Sequence, residues 1–590
     1  MTMPYLSELT PRALVTGLAV GCLVAAANVS VGLKVGMTFG ATITAAVLPF
    51  AWFRLVRRSL GRPFDPKENM IATTAGSAAG SMYNVAGVIS FVPALRMAGR
   101  ELSFTELVLW TLATGFLGVL FAVPLRRQMI IVERLRYPSG TAAAETITAM
   151  HAAGDDALLK AKALLVAAAL SAGLKILLAF KPLGWSRFEE LSFDDLGLAA
   201  VGVGVGGVTF AALRIGVSLS PMLLGAGILV GRKTGWSLAL GAALAWGVAA
   251  PAAFALGLVS APTPAGLFGA AQRWLVWPGV AGMVVAGLTG LALQYRTLGR
   301  AVTSLRRSAA TAADDSPDPM SASTWLALLA LAAGATVLLA QVLFAMRWWL
   351  GLVAVLLSFL MAVIAVRATA ETDLNPVGPM AKVTQLVYGA LDPGTMTTNL
   401  MAAGITAAGA SQAGDLMHDL KAGHLLQVSA RRQLAAQAAG VLVGAPVVVG
   451  AYTLLANAYP IPGDVFTAPA VQSWYAVARV LSVGVEALPQ GTLPAALLAA
   501  GCAAITTLLG RVPAVAPYLP SPVAASIAFL VPASVALTLA LGALTLGVAH
   551  RLRPALCDQV AASVAAGLIA GEGVMLVVIA LLSLAGASWL

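Results

Sequence analysis

The chain has 590 residues, 59% of them hydrophobic and only 10% charged, with a mean hydropathy of +0.88 and a formal net charge of +11. A transmembrane helix needs about 20 mostly apolar residues, and uncharged runs of that length recur from end to end, which excludes a soluble globular protein. A β-barrel would show ~10-residue alternating segments instead, and the basic residues fall in short clusters between apolar runs, as loop charge bias produces, which argues against a nucleic-acid partner.

In chain order, spans are expected over roughly 13–33, 36–55, 70–97, 104–124, 158–180, 196–216, 235–258 and 274–295 in the first half. The second half offers 324–346, 348–367, 395–416, 433–456, 466–485, 490–510, 533–549 and 557–588. The fold class expected is therefore an all-α polytopic membrane protein of about 16 transmembrane helices, with 15–17 allowed. Shorter apolar pieces near 138–150, 218–231, 375–391 and 518–531 read as half-helices or re-entrant segments. The first span has few residues before it and no small-residue cleavage signature, so it reads as a retained helix. Arg296–Ser323 is the one linker, dividing an N-terminal membrane half, 1–295, from a C-terminal half, 324–590. Arg54, Arg57, Arg58, Arg62 and Lys67, then Arg126, Arg127, Arg134 and Arg136, then the linker arginines, place the N-terminus on the cytoplasmic side of a cytoplasmic (inner) membrane.

An internal two-fold repeat is visible. Ser220-Pro221 opens a segment ending Ser237-Leu238-Ala239-Leu240-Gly241-Ala242-Ala243, and Ser521-Pro522 opens one ending Thr538-Leu539-Ala540-Leu541-Gly542-Ala543-Leu544. They align without a gap, and paired broken segments of this kind point to a midplane binding site. Whether the repeat is inverted or parallel stays open. The small residues Gly76-Ser77-Ala78-Ala79-Gly80 read as close helix packing.

Chemistry concentrates at Glu371-Thr372-Asp373-Leu374-Asn375-Pro376-Val377-Gly378, directly after the uncharged run Trp348 to Val366. Acidic side chains beside hydrocarbon are expensive and mark an ion, proton or substrate path; Pro and Gly break the backbone there. Glu371 and Asp373 read either as helix caps or as proton carriers, since two close carboxylates at low dielectric favour one bound proton. Glu572, between Gly571 and Gly573 in an apolar run, reads as a buried carboxylate inside the bundle. Glu145 reads as a proton carrier or as an interfacial partner of Arg134 or Arg136. Asp415, Asp419, Lys421 and His424 lie where an apolar run gives way to polar sequence, and read as a solvated turn or a titrating group. Lys34 snorkels to the interface or holds a substrate carboxylate. Asn28, Asn69, Tyr83, Asn84, Gln385, Asn399 and Gln412 need hydrogen bonds from another helix or from a substrate rich in donors and acceptors.

No GxxxxGK[ST], HExxH or GxSxG occurs. A gradient-driven transporter, not an enzyme, follows, with no catalytic residues; a channel or an intramembrane enzyme is the rival reading. Cys22, Cys502 and Cys557 are far apart and the four histidines do not cluster, so neither a disulfide framework, a metal site nor a cofactor is expected.

Several segments resemble the oligopeptide transporter superfamily, which includes the yellow-stripe-like branch. They are Asn28-Val29-Ser30-Val31-Gly32-Leu33-Lys34-Val35-Gly36, Tyr137-Pro138-Ser139-Gly140-Thr141-Ala142, Thr372 to Gly378, Asp419-Leu420-Lys421-Ala422-Gly423-His424 with Arg431-Arg432-Gln433, Ser521-Pro522, and Gly571-Glu572-Gly573. The resemblance implies proton-coupled uptake of small peptides, or of metal complexed to an amino-acid-derived chelator, in lipid-embedded homodimers. Taken with the residue reading, it gives a substrate-binding set of Asn28, Lys34, Tyr83, Asn84, Tyr137, Ser139, Asn375, Gln385, Asn399, Gln412 and Ser521. The proton-coupling set is Glu145, Glu371, Asp373, Asp415 and Glu572.

Overall fold

The computed structural model describes residues 8–36, 42–55, 64–152, 154–180, 190–192, 211–260, 266–293, 295, 320–372 and 375–586. Asp373, the linker residues 296–319 and most of the expected span 196–216 lie outside them.

The first half runs α1 (Pro11–Val35), α2 (Thr42–Leu55), α3 (Pro66–Gly80), α4 (Met82–Ala86), α5 (Phe91–Met97), α6 (Phe104–Arg126), α7 (Pro138–Ala152) and α8 (Gly154–Ala179). A two-stranded antiparallel ribbon, β1 (Glu190–Ser192) with β2 (Gly216–Ser218), precedes α9 (Pro221–Ala242), α10 (Ala250–Ala255) and α11 (Leu267–Ala292). The second half runs α12 (Ala322–Phe344), α13 (Trp348–Thr372), α14 (Val377–Leu391), α15 (Met396–Leu425) and α16 (Ala430–Ala458). It closes with α17 (Pro469–Val483), α18 (Thr492–Leu509), α19 (Pro522–Ile527), α20 (Ala533–Leu552) and α21 (Pro554–Leu584).

The chain is an all-α polytopic membrane protein. Among the described residues, 12 helices are long and apolar enough to cross a membrane. Of the other four expected spans, 196–216 is largely outside the described residues, 36–55 is described chiefly over α2, and 466–485 reduces to the short helix α17. The fourth, 395–416, lies in the 30-residue α15, whose Asn399, Gln412, Asp415 and Asp419 lower its hydropathy although most of the helix is buried. The segment 375–391 forms the 15-residue α14, which at 1.5 Å per residue extends about 22 Å, short of a full crossing.

Helix starts are written locally. Asp65 and Glu68 close a capping box on α3 with Pro66 in its first turn, and Ser103 and Glu106 close another on α6. The stretch from His418 to Arg432 is the last turns of α15, a short connection, and the start of α16.

Two compact units emerge. The first comprises 1–29, 39–161 and 293–453; the second comprises 30–38, 162–292 and 454–590. Each unit draws on both halves. In the first unit α15 is the central helix, wrapped by α3, α6, α7, α13 and α14. Backbone approaches there are close, since Gly440 of α16 rests on Ala75 and Ala78 of α3, and Gly444 on Ala79. The stretch Gly76–Gly80 thus serves helix packing.

In the second unit the repeat is physical. Ser220 and Ser521 each cap a helix whose first turn holds proline, accepting from Leu223 N and Ala524 N. The first helix is broken at Gly231 (φ 77°, ψ 174°), and the second at Pro532, whose extended backbone starts α20; both breaks fall 11 residues after the capping serine (231 less 220, 532 less 521). The copies touch reciprocally: a Cβ on Gly241 would strike the Ala525 carbonyl, and one on Gly542 the Leu224 carbonyl. Ser521 N donates to Ser237 Oγ at 2.8 Å, and Ser218 N to Thr538 Oγ1 at 2.8 Å. Early residues of one copy meet late residues of the other, so the copies run antiparallel, as in an inverted repeat.

Candidate functional site

The second unit holds a buried ionic cluster. Gly36, in the left-handed region (φ 74°), terminates α1 just past Lys34. Ala468 N donates to the Leu33 carbonyl and Thr467 Oγ1 to the Lys34 carbonyl, both at 2.8 Å, which fixes this helix end. Lys34 Nζ then lies 3.4 Å from Glu572 Oε1 and 3.5 Å from Ser220 Oγ. Ser220 Oγ sits 2.9 and 2.8 Å from the two Glu572 oxygens, and Met222 N donates to Oε2 at 2.9 Å. Glu572 is 1% exposed. Its carboxylate therefore occupies the N-terminus of α9, where free N–H groups and the helix dipole favour an anion. At Gly571 a side chain would strike the Ala168 carbonyl of α8, so the neighbouring glycine lets α21 approach closely enough to place the acid. Ser521, the counterpart cap, is half-buried; its hydroxyl accepts from Ala524 N and its N–H donates to Ser237 Oγ.

The first unit holds a longer polar track along α15. Lys382 Nζ donates to Gln385 Oε1 at 2.9 Å, Gln385 Nε2 to Asn399 Oδ1 at 3.1 Å, and Asn399 Nδ2 back to the Gln385 carbonyl at 2.6 Å. Further along, Asn375 Nδ2 reaches the Ala410 carbonyl at 3.1 Å and leaves Oδ1 without a partner. Beyond it the track is unsatisfied: Asn69, Gln412 and Gln437, at most 2% exposed, leave both amide atoms unpartnered. Asp415 faces Ser81 and Asp419 faces Ser77, one helical turn apart on each side. Both oxygens of Asp419 lack a hydrogen bond although the residue is 1% exposed.

The remaining sequence candidates are dispersed. Glu371 is ion-paired to Arg367 (3.0 Å), which also holds Glu133 (2.8 Å); the acid of the Glu371–Gly378 run thus answers an arginine one turn earlier. Asn28 donates to the Gly80 carbonyl at 3.3 Å. Tyr137 is fully buried at φ 47°, its ring edge-on to His418 at 5.8 Å and its hydroxyl 3.6 Å from Met129 Sδ. Tyr83 is buried and Asn84 half-buried; Ser139 and Glu145 are exposed. The exposure of Glu145 places it outside any buried relay. Among the described residues no group of three or more His, Cys, Asp or Glu side chains gathers as a metal site.

Sequence reasoning passed over Lys382, Arg367 and Gln437. Arg367 carried a signal, its i,i+4 spacing from Glu371. So did Lys382, a cation within an otherwise apolar half-helix.

The family model described as OPT oligopeptide transporter protein matches residues 8–583. The chain belongs to the oligopeptide transporter family. It is similar to metal-nicotianamine transporter YSL2 of Arabidopsis thaliana, 26% identical over 99% of this chain and 94% of the relative. It is also similar to "Probable metal-nicotianamine transporter YSL9" of Oryza sativa subsp. japonica, 27% identical over 99% of this chain and 90% of the relative. With "Putative oligopeptide transporter YGL114W" of Saccharomyces cerevisiae it shares 24% identity over 86% of this chain and 85% of the relative. Family membership makes this an integral membrane transporter of a small molecule, not an enzyme.

Proposed function

We propose that this transporter imports tri- or tetrapeptide-like molecules across the cytoplasmic membrane, driven by the proton gradient. One observation carries the substrate class: the fully buried amides Asn69, Gln412 and Gln437 lack any protein partner. Each orphaned buried polar group costs about 1–3 kcal/mol, a cost that a ligand carrying both donors and acceptors removes on binding. A peptide backbone is such a ligand. At one side the track ends in Lys382, a cation that suits the carboxylate terminus of a short peptide.

A second reading is uptake of a metal–chelate complex, supported by the names of relatives that align over 99% of this chain. An amino-acid-derived chelator presents the same amines and carboxylates and brings its own metal ligands. In this reading the N-terminus lies inside, supported by the basic residues around Arg54, Lys67, Arg126 and Arg127, and the protein is a homodimer, supported by the family resemblance.

Uptake into proteoliposomes under an imposed pH gradient tests this, comparing labelled tri- and tetrapeptides with iron and zinc chelates of nicotianamine type. Peptide accumulation above equilibrium is the expected result. Accumulation of chelates alone selects the second reading, and uptake indifferent to the gradient removes proton coupling.

A further inference from the structure

We propose that Asp415 and Asp419 jointly bind one proton and that this shared proton is the coupling ion. The coupling role rests on the proton-driven reading above; the proton site rests on geometry.

The five carboxylates that sequence marks for proton handling separate clearly in the structure. Glu371 is neutralised by Arg367, Glu572 by Lys34, Ser220 and Met222 N, and Glu145 is exposed. Asp373 lies outside the described residues. Asp415 remains, and one turn on the same helix adds Asp419, whose two oxygens are buried without a hydrogen bond.

Among the described residues, no cation is paired with either aspartate. From α3 it meets the hydroxyls of Ser81 and Ser77. From α16 it meets glutamines: Gln433 Nε2 donates to the Asp419 carbonyl at 2.7 Å and to Thr74 Oγ1 at 3.2 Å. That contact fixes the rotation of α16. Gln437 follows one turn later, and Gly440 after it rests on Ala75 and Ala78 of α3. Gln437 is fully buried, and both its amide atoms lack a hydrogen-bond partner. On α13 the nearest charges, Arg367 and Glu371, are engaged with each other and with Glu133. Lys382 of α14 is engaged with Gln385. Tyr137 lies against His418 on the adjoining face of α15, and Lys421 and His424 follow in its last turns. Neither aspartate forms an ion pair with any described residue.

Two like charges one turn apart at low dielectric, with no cation, repel strongly. A single proton on one Oδ removes that repulsion and supplies a donor that the second carboxylate or a serine can accept. No bond other than O–H forms or breaks. Ser77 Oγ also lies 3.2 Å from Thr42 Oγ1, at the partly exposed start of α2, so a line of hydroxyls leads from Asp419 outwards.

Infrared difference spectroscopy of the full-length protein, recorded between acidic and alkaline buffer in potassium chloride, tests the site without any substrate. The expected result is a protonated carboxylic-acid C=O band at neutral pH that shifts down in D2O. It should disappear in Asp419→Asn, move in Asp415→Asn and persist in Glu572→Gln. Ser77→Ala, a milder change, should shift the band upwards by removing a hydrogen-bond partner, and so decides the matter if Asp419→Asn fails to fold. Absence of the band from the wild type, its survival unmoved in both Asp419→Asn and Ser77→Ala, or its loss on exchanging potassium for sodium, the mark of an alkali-cation site, overturns the proposal. In proteoliposomes, Asp419→Asn should keep labelled-tripeptide exchange at equal pH while pH-driven accumulation collapses to the equilibrium level. Wild-type accumulation that survives Asp419→Asn refutes this assignment alone. A wild type with the band but no pH-driven accumulation refutes the transport reading and the coupling role together.

Discussion

Glu572 in the second unit and Asp419 in the first are equally buried carboxylates in long helices, yet their surroundings are opposite. Glu572 has an ammonium, a hydroxyl and a helix N-terminus; Asp419 has a facing serine, a like-charged neighbour and two oxygens left open. Burial therefore does not define a role. The first arrangement is complete as it stands and holds three chain segments together, whereas the second is completed only by something the protein must acquire.

The comparison predicts opposite responses to the same chemical change. Glu572→Gln strands Lys34 in the interior, and removing one partner of a buried pair costs about 3–5 kcal/mol; a large drop in thermal midpoint in detergent is expected. Lys34→Met added to Glu572→Gln should recover most of that loss, and a double variant no more stable than the single would show that the pair is not the unit of stability. Smaller in effect are the capping serines. Ser521→Ala should cost about 1 kcal/mol, the value of an N-cap, and Ser220→Ala distinctly more, because its hydroxyl also serves Glu572; equal losses would deny the asymmetry between the copies. Asp419→Asn, which mimics the protonated acid, should leave the midpoint within about 1 kcal/mol of the wild type or raise it. A destabilisation as large as that of Glu572→Gln would show that the pair is held ionised. Glu145→Gln, at an exposed site, should stay within about 0.5 kcal/mol.

Much of this is legible in the sequence because hydrocarbon is a strict solvent. The membrane class, the interior place of Glu572 and the repeated Ser-Pro starts follow from apolar runs interrupted by single polar residues. What is not legible is pairing: nothing local joins Lys34 to Glu572 across the intervening chain. Asp419 reads as part of a solvated turn because Lys421 and His424 follow it, but α15 continues to Leu425 and turns Asp419 inwards. Local charge density is a poor guide to exposure at a helix end. The Glu371–Gly378 run draws attention for its density of polar groups, and part of that density answers Arg367. The unpartnered amides are invisible for a different reason, since a glutamine in sequence looks the same whether or not a neighbour satisfies it.

The reciprocal contacts of α9 with α19 and α20 bear on the energetics of motion. A carrier must visit two conformations of similar free energy, or one of them traps its cargo. A pair of antiparallel copies, each broken at matching points and each resting a glycine on the other's backbone, is built so that exchanging the roles of the copies would conserve the packing. Degeneracy is thus inherited from duplication and needs no separate tuning. Only residues that break the likeness can tilt the balance, and Glu572 is the chief one, because α11, the long helix after the first copy, carries no acidic residue.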